Sequence, residues 1–170
     1  MAGISSSTDY FLKIDGIDSE SMRKGHEKEI ELMSWGFGCS QIAQGEFGGG
    51  QGTAGRVSAQ DFHFTKMMCK AGPKIVQYLF SGEHIKKVKV TARRIGLTGG
   101  QPLDYLIWEF EDVVISSHSY SGPSSEVPTE SISFRFGKMK VNYRAIKTDG
   151  NPEGAISGGW DLRANKVWAA

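Results

Sequence analysis

Gly72-Pro73-Lys74-Ile75-Val76-Gln77-Tyr78-Leu79-Phe80-Ser81-Gly82 is the stretch whose reading decides the fold. Pro73 suits a first helical turn, where its missing N–H is not needed. Gly72 is the expected cap before it, and Gly82 can take the left-handed conformation that closes a helix. The spacing predicts one wide apolar stripe of Ile75, Val76, Leu79 and Phe80, with Lys74, Gln77 and Ser81 turned away. A helix over 73–81 spans roughly two to three turns and is marginal alone, so it needs an apolar surface to lie on. Nearly everything on either side of it is patterned as strand. One short helix laid against β-structure is the expected architecture.

Upstream, Tyr10, Leu12 and Ile14 alternate with Phe11, Lys13 and Asp15, a first strand stopped at Asp15-Gly16, after about eight small, polar and flexible residues. The polar stretch SESMRKGHEKE leads to a second strand around Ile30 and Leu32. From Gly36 to about residue 56 no period is sustained, and eight of the twenty residues from Gly36 to Gly55 are glycine. So long a loop inside a domain is usually functional or disordered. Phe37, Ile42 and Phe47 are too apolar for a solvated linker, so the loop is expected to pack on another copy of the chain. Val57 to Lys66 is a third strand with a change of phase: Val57 and Ala59 lie on one parity and Phe62 and Phe64 on the other, which predicts a bulge or bend near Gln60-Asp61.

Downstream, Val88, Val90 and Ala92 alternate with Lys87, Lys89, Thr91 and Arg93, and a turn follows at Leu97–Pro102. The longest strand candidate runs from Tyr105 to Ile115. Leu106, Trp108, Phe110 and Val114 share one face, and the other carries Tyr105, Ile107, Val113 and Ile115 between its carboxylates, less polar than a solvated face needs. Ile132, Phe134 and Phe136 share a parity that Met139, Val141 and Tyr143 reverse, with Gly137 at the switch as a bulge glycine. Residues 145–159 are expected to be a polar connection, and Trp160, Leu162 and Trp168 anchor a last strand. About six or seven strands and one embedded helix make a single all-β domain over 1–170, a sandwich or barrel.

At 170 residues, with 20 basic against 19 acidic side chains, the near-balance of charge argues against a nucleic-acid binder or a polybasic membrane contact. Two cysteines, Cys39 and Cys69, make no disulfide framework. The opening MAGISSSTDYFLKI has neither a basic start nor an apolar core, so the expectation is synthesis in the cytoplasm without a cleavable signal peptide. Gly50–Gly55 satisfies G-x-G-x-x-G by letter, but a strand pattern follows it and no carboxylate stands near Cys69 to Ala71, so no cofactor is expected. His26, His63, His84 and His118 are scattered, without metal-ligand spacing. His118 is read as a surface histidine, His84 as a partner of the helix end, and Asp61 as a carboxylate for backbone donors at the bend. No nucleophile elbow or local cysteine signature is present, so no enzyme is expected. Two other readings remain: a secreted β-sandwich ligand- or glycan-binding module using Trp108, Trp160 or Tyr120, and an enzyme built on Asp61 and His63.

The motifs, taken in order, resemble the hemolysin-coregulated protein family (Hcp), the tube subunit of type VI secretion. DYFLKIDGIDSES and GHEKEIELMSWGFGCSQ are similar to that family's first strands and tryptophan-glycine segment. GGGQGTAGRVSAQDFHFTKMMCKAGPKIVQYLFSGEHIKKVKVTAR resembles its glycine loop, its V-x-x-x-D-F-x-F-T-K strand and its single helix. DYLIWEFEDVVISSHSYSG, TESISFRFGKMKVNYR and GGWDLRANK are similar to the later strands, so the resemblance covers roughly residues 9–166. It departs at Phe37, where the family often has a second tryptophan, and at the LTGGQ turn. The resemblance implies a two-sheet β-barrel with a flanking helix, hexameric rings stacked into a hollow tube, and spike and sheath proteins as partners. It also implies export from the cell and small effector proteins held in the ring lumen. On that basis Ile42, Phe47, Gly48, Gly49 and Gly50 of the loop, and Tyr105, Ile107, Val113 and Ile115 of the long strand, become candidates for subunit contact. Trp35, Gly36 and Phe37 match the family segment nearest the lumen and are the cargo candidates.

Overall fold

The computed structural model describes residues 8–44, 53–94, 101–148 and 151–168. Its strands are β1 (Thr8–Ile14), β2 (Ile30–Leu32), β3 (Ser34–Gly36), β4 (Cys39–Gln44), β5 (Thr53–Ala59) and β6 (Phe62–Met67). After the helix α1 (Gly72–Ser81) come β7 (Ile85–Arg94), β8 (Leu103–Ser121), β9 (Thr129–Ile146), β10 (Pro152–Asp161) and β11 (Lys166–Val167).

The helix forms where the spacing predicts, with two corrections. Its cap is Ala71, without a side-chain bond, and Gly72 is already helical. Gly72 is glycine because a Cβ there would run into the Glu130 carboxylate. At the other end Gly82 is left-handed (φ 67°), and its N–H donates to the Tyr78 carbonyl at 3.0 Å. Ile75 is fully buried and Leu79 packs on the core beside it, but Phe80 is 85 % exposed. At ~100° per residue Phe80 lies roughly 140° round the helix from Ile75, whereas Tyr78 lies only about 60° away. Tyr78 takes the core contact that Phe80 was expected to make.

All ladders are antiparallel. The main sheet runs β11-β10-β9-β8-β7-β1-β2, with β6 also paired to β9 and β3 to β6. The long strands β8 and β9 belong to both layers. Toward Leu106 and Tyr143, β8 pairs with β7 and β9 with β10, while the other half of β9 pairs with β6. At the corner Asp112 is left-handed (φ 55°), opposite Gly137. Pairing stays in register there, Glu111 with Lys138 and then Val113 with Phe136. The parity change at Gly137 is therefore a shared kink and not a bulge, because no extra residue enters either strand. The register shift in this ladder comes later, between Ile115 and Ser117. The kink turns Val113 and Ile115 inward beside Phe110, at 0 % and 3 % exposure, so they leave the outer face on which alternation placed them.

Only Met33 separates β2 from β3, yet β2 pairs with β1 and β3 with β6. Among the described residues no ladder joins β2 to β6. Of the two expected forms the wrapped sandwich is the one found, not a closed barrel. Phe62, Phe64, Phe110 and Phe134 fill its centre with Leu12, Ile30, Ile75, Ile85 and Ile132. Each such side chain contributes about 1.5–3 kcal/mol by leaving water.

Three stretches differ from their sequence patterns. The glycine-rich stretch carries a second sheet, the β4–β5 hairpin, from Cys39 opposite Ala59 to Gln44 opposite Thr53. Backbone ladders need no side-chain alternation, so a glycine-rich hairpin leaves little periodic trace. The phase change at Gln60-Asp61 is a handover between the two sheets, where the Gln60 N–H donates to the Gly38 carbonyl at 2.8 Å. Much of the polar connection at 145–159 is β10, an exposed strand laddered onto β9.

Candidate functional site: assembly surfaces and buried polar clusters

Beyond the kink, β8, β9 and β10 carry one row of directly opposed residues, Leu106, Tyr143 and Ile156. Opposed residues project from the same face of a sheet, so these side chains form a single apolar strip. Tyr143 is 46 % and Ile156 75 % exposed. Tyr105 meets the Tyr143 ring edge-on at 6.4 Å, and Tyr105 and Ile107 are half-buried. Of the predicted contact residues only Tyr105 thus touches this exposed strip; Ile107, next to Leu106 in the strand, projects from the opposite face, and Val113 and Ile115 are buried. Tyr143 and Ile156 were not anticipated as part of it. Their signal was the Val141/Tyr143 parity, but the glycines around Ile156 gave no alternation to connect with it. Ile42 lies within β4. Phe47, Gly48, Gly49 and Gly50 lie outside the described residues.

Trp35, Gly36 and Phe37 close one end of the core. Trp35 stacks parallel to Phe62 at 5.8 Å and meets Trp108 and Tyr10 edge-on at 6.2 and 6.0 Å. Phe37 stands perpendicular to Trp108 at 4.9 Å. Gly36 faces His63, whose ring would lie 3.0 Å from a Cβ. All three are half-buried. Trp108 is thus tied into the core and is no open ligand platform beside Tyr120, which packs against the His118 ring at 4.4 Å. Asp61 binds side chains and not the expected backbone donors: Ser116 Oγ donates to it at 2.6 Å and Arg135 Nε at 3.0 Å. His84 pairs with Asp112 at 2.6 Å instead of with the helix end.

Two polar clusters are buried where alternation gave no hint of them. In the first, Lys66 of β6 and Glu130 of β9 form a fully buried ion pair. His118 Nε2 lies 3.0 Å from the other Glu130 oxygen, with its side chain 2 % exposed, so it is not the surface histidine expected. Lys66 Nζ also donates to Cys69 Sγ at 3.3 Å, and Ser19 Oγ donates to the same sulfur at 3.2 Å. Burial pushes the Lys66 ammonium below its ordinary pKa, opposed by Cys69. Burial also holds the His118 imidazole below its ordinary range, helped by the Lys66 charge. In the second cluster His26 lies 2.7 Å from Glu29 and 3.1 Å from Asp104, which also accepts from Arg93 Nε at 3.1 Å. The His26 ring stacks on Phe11 at 4.2 Å. That contact leaves Phe11 1 % exposed, although alternation put it on the wet face. Segment 18–29 is therefore the cover of this sheet. Both cysteines are free, Cys39 exposed and Cys69 half-buried.

The sandwich, the lone helix and the closing hairpins have counterparts among known proteins. The family model described as "Type VI secretion system effector, Hcp" matches residues 11–143. Protein hcp1 of Pseudomonas aeruginosa is 36 % identical over 159 residues, covering 92 % of this chain and 96 % of that protein. The crystal structure of Hcp1 from Salmonella typhimurium is 33 % identical with a TM-score of 0.76, covering 95 % of this chain and 99 % of that one. A solved type six secretion system protein, 24 % identical over 95 % of this chain and 100 % of its own, has the same fold at a TM-score of 0.87. The chain belongs to the Hcp family of type VI secretion tube proteins, a structural family and not one of enzymes.

Proposed function

We propose that this chain is a tube subunit that assembles with copies of itself into hexameric rings, which stack into the hollow conduit of a type VI secretion apparatus. The observation that carries the reading is the uncovered strip of Leu106, Tyr143 and Ile156 with Tyr105 beside it. A head-to-tail contact that closes gives a ring, and ring-on-ring contact gives a filament. The β4–β5 hairpin lies outside the main sheet, a suitable place from which to reach a neighbouring ring. Spike and sheath proteins are the further partners. The tube leaves the cell with the apparatus, and small effector proteins ride in its lumen near Trp35, Gly36 and Phe37.

Light scattering on the eluted protein, with negative-stain images of the same fractions, tests the assembly. A six-fold ring is expected, and a monomer at every concentration would overturn it. Deleting 46–52 is expected to abolish stacking while leaving single rings. Stacks of normal length from that deletion would refute the role given to these residues.

A further inference from the structure

Four exposed large apolar side chains converge on one cleft. Met33, Met67, Met68 and Val127, each 45–57 % exposed, line a cavity of about 450 Å³ with Leu32 and Cys69 at its floor. Three of the chain's six methionines are gathered there. Thioether side chains are unbranched and polarisable, so a wall of them can reshape around different apolar groups. The charged side chains among the described lining residues are all acidic, although Lys66 lies behind Cys69 and Arg23 beside Glu31. Glu20, Glu29 and Glu31 line the cleft, with no Lys, Arg or His among the described lining residues.

Glu29 is buried against His26, but Glu20 and Glu31 are exposed. Glu20 accepts from the Lys70 N–H at 2.8 Å. Glu31 accepts from Ser21 Oγ at 3.0 Å and stands 3.9 Å from the exposed Arg23. A carboxylate has about four acceptor positions, so both keep capacity for a further cation. Phosphate-bearing partners are repelled by this lining, and a wholly apolar one leaves its acids unmatched.

We propose that the methionine-walled cleft docks a short cationic, amphipathic segment of another protein. Its apolar side chains would seat between Met33, Met67, Met68 and Val127, and its Lys or Arg would meet Glu20 and Glu31. The test uses the full chain labelled with ¹³C at the methionine methyls. The probe is acetyl-Lys-Leu-Lys-Leu-Lys-amide, compared with the peptide carrying Glu in place of Lys. Saturable shifts are expected at the methyls of Met33, Met67 and Met68 with the lysine peptide, with Met22 and Met139 unmoved. Salt should weaken the binding, and the variant Glu20→Gln/Glu31→Gln should weaken it about two- to tenfold, as for two exposed charge pairs. No shift, equal shifts with the glutamate peptide, or equal movement of Met22 would overturn the proposal. Shifts caused by protein concentration alone would do so too, by assigning the cleft to a second copy.

Discussion

Lys66 and Glu130 show what a buried charge pair asks of its surroundings. Each ion loses its hydration, and the loss is offset only if partners fill the remaining hydrogen-bonding positions. Here Met67 O, Cys69 Sγ and His118 serve that purpose. Lys66→Met strands the Glu130 carboxylate in the core and is expected to cost about 3–5 kcal/mol in urea unfolding. Lys66→Met/Glu130→Leu should recover much of that loss, and a double variant as unstable as the single would show that the pair is not the cause. His118 supplies a pH dependence. Its folded pKa is depressed, so its contribution is complete above the unfolded value of ~6.5 and is lost as pH falls through the folded value. The melting temperature should therefore drop on acidification below about pH 6.5 more steeply in the parent than in His118→Gln. Parallel slopes would remove His118 from the account. None of this cluster was legible beforehand. Lys66, His118 and Glu130 are ordinary strand residues by pattern, and only the pairing of β6 and β8 with β9 brings them together.

At the scale of the element, α1 was the most legible feature, since Pro73 and Gly82 punctuate it and a helix carries its own hydrogen bonds. Its facing was half legible. The apolar spacing makes the stripe one residue wider than the buried face, and Phe80 reaches solvent. Ile75→Ala is expected to cost about 2–5 kcal/mol, whereas Phe80→Ser should stay within about 0.5 kcal/mol of the parent in the same denaturation measurement. A large loss at Phe80 would restore it to the core face. The strands were legible where side chains alternate, as in β1, β7 and β9. They were illegible where glycines and small polar residues leave no alternation, as in β4, the start of β5 and most of β10. Val113 and Ile115 failed for a different reason: one left-handed residue, Asp112, reverses alternation without a glycine in that strand to announce it.

For the whole molecule, the all-β class and the order of most strands followed from periodicity, and the order of motifs carried the family. The candidate contact surface was only partly legible, because exposure is a property of the assembled layers. Tyr143→Glu/Ile156→Lys changes two exposed side chains, so the melting temperature should stay close to that of the parent while light scattering loses the ring. Val113→Ala should do the opposite, lowering the melt by a core cavity cost of about 1–3 kcal/mol while its folded fraction still assembles. Rings that survive the first variant unchanged would remove this strip from the interface.

The shared kink of β8 and β9 has a mechanical consequence. Two strands run unbroken from one layer into the other, so sliding the layers past each other means shearing the β8–β9 ladder and not merely parting two apolar faces. Hydrogen bonds loaded in parallel along a strand yield together, while packed side chains slip one at a time. A push along the long hairpin is therefore carried by covalent backbone through the corner at Asp112 and Gly137. Under load the sandwich is expected to behave as one plate creased at that corner, the two layers moving together.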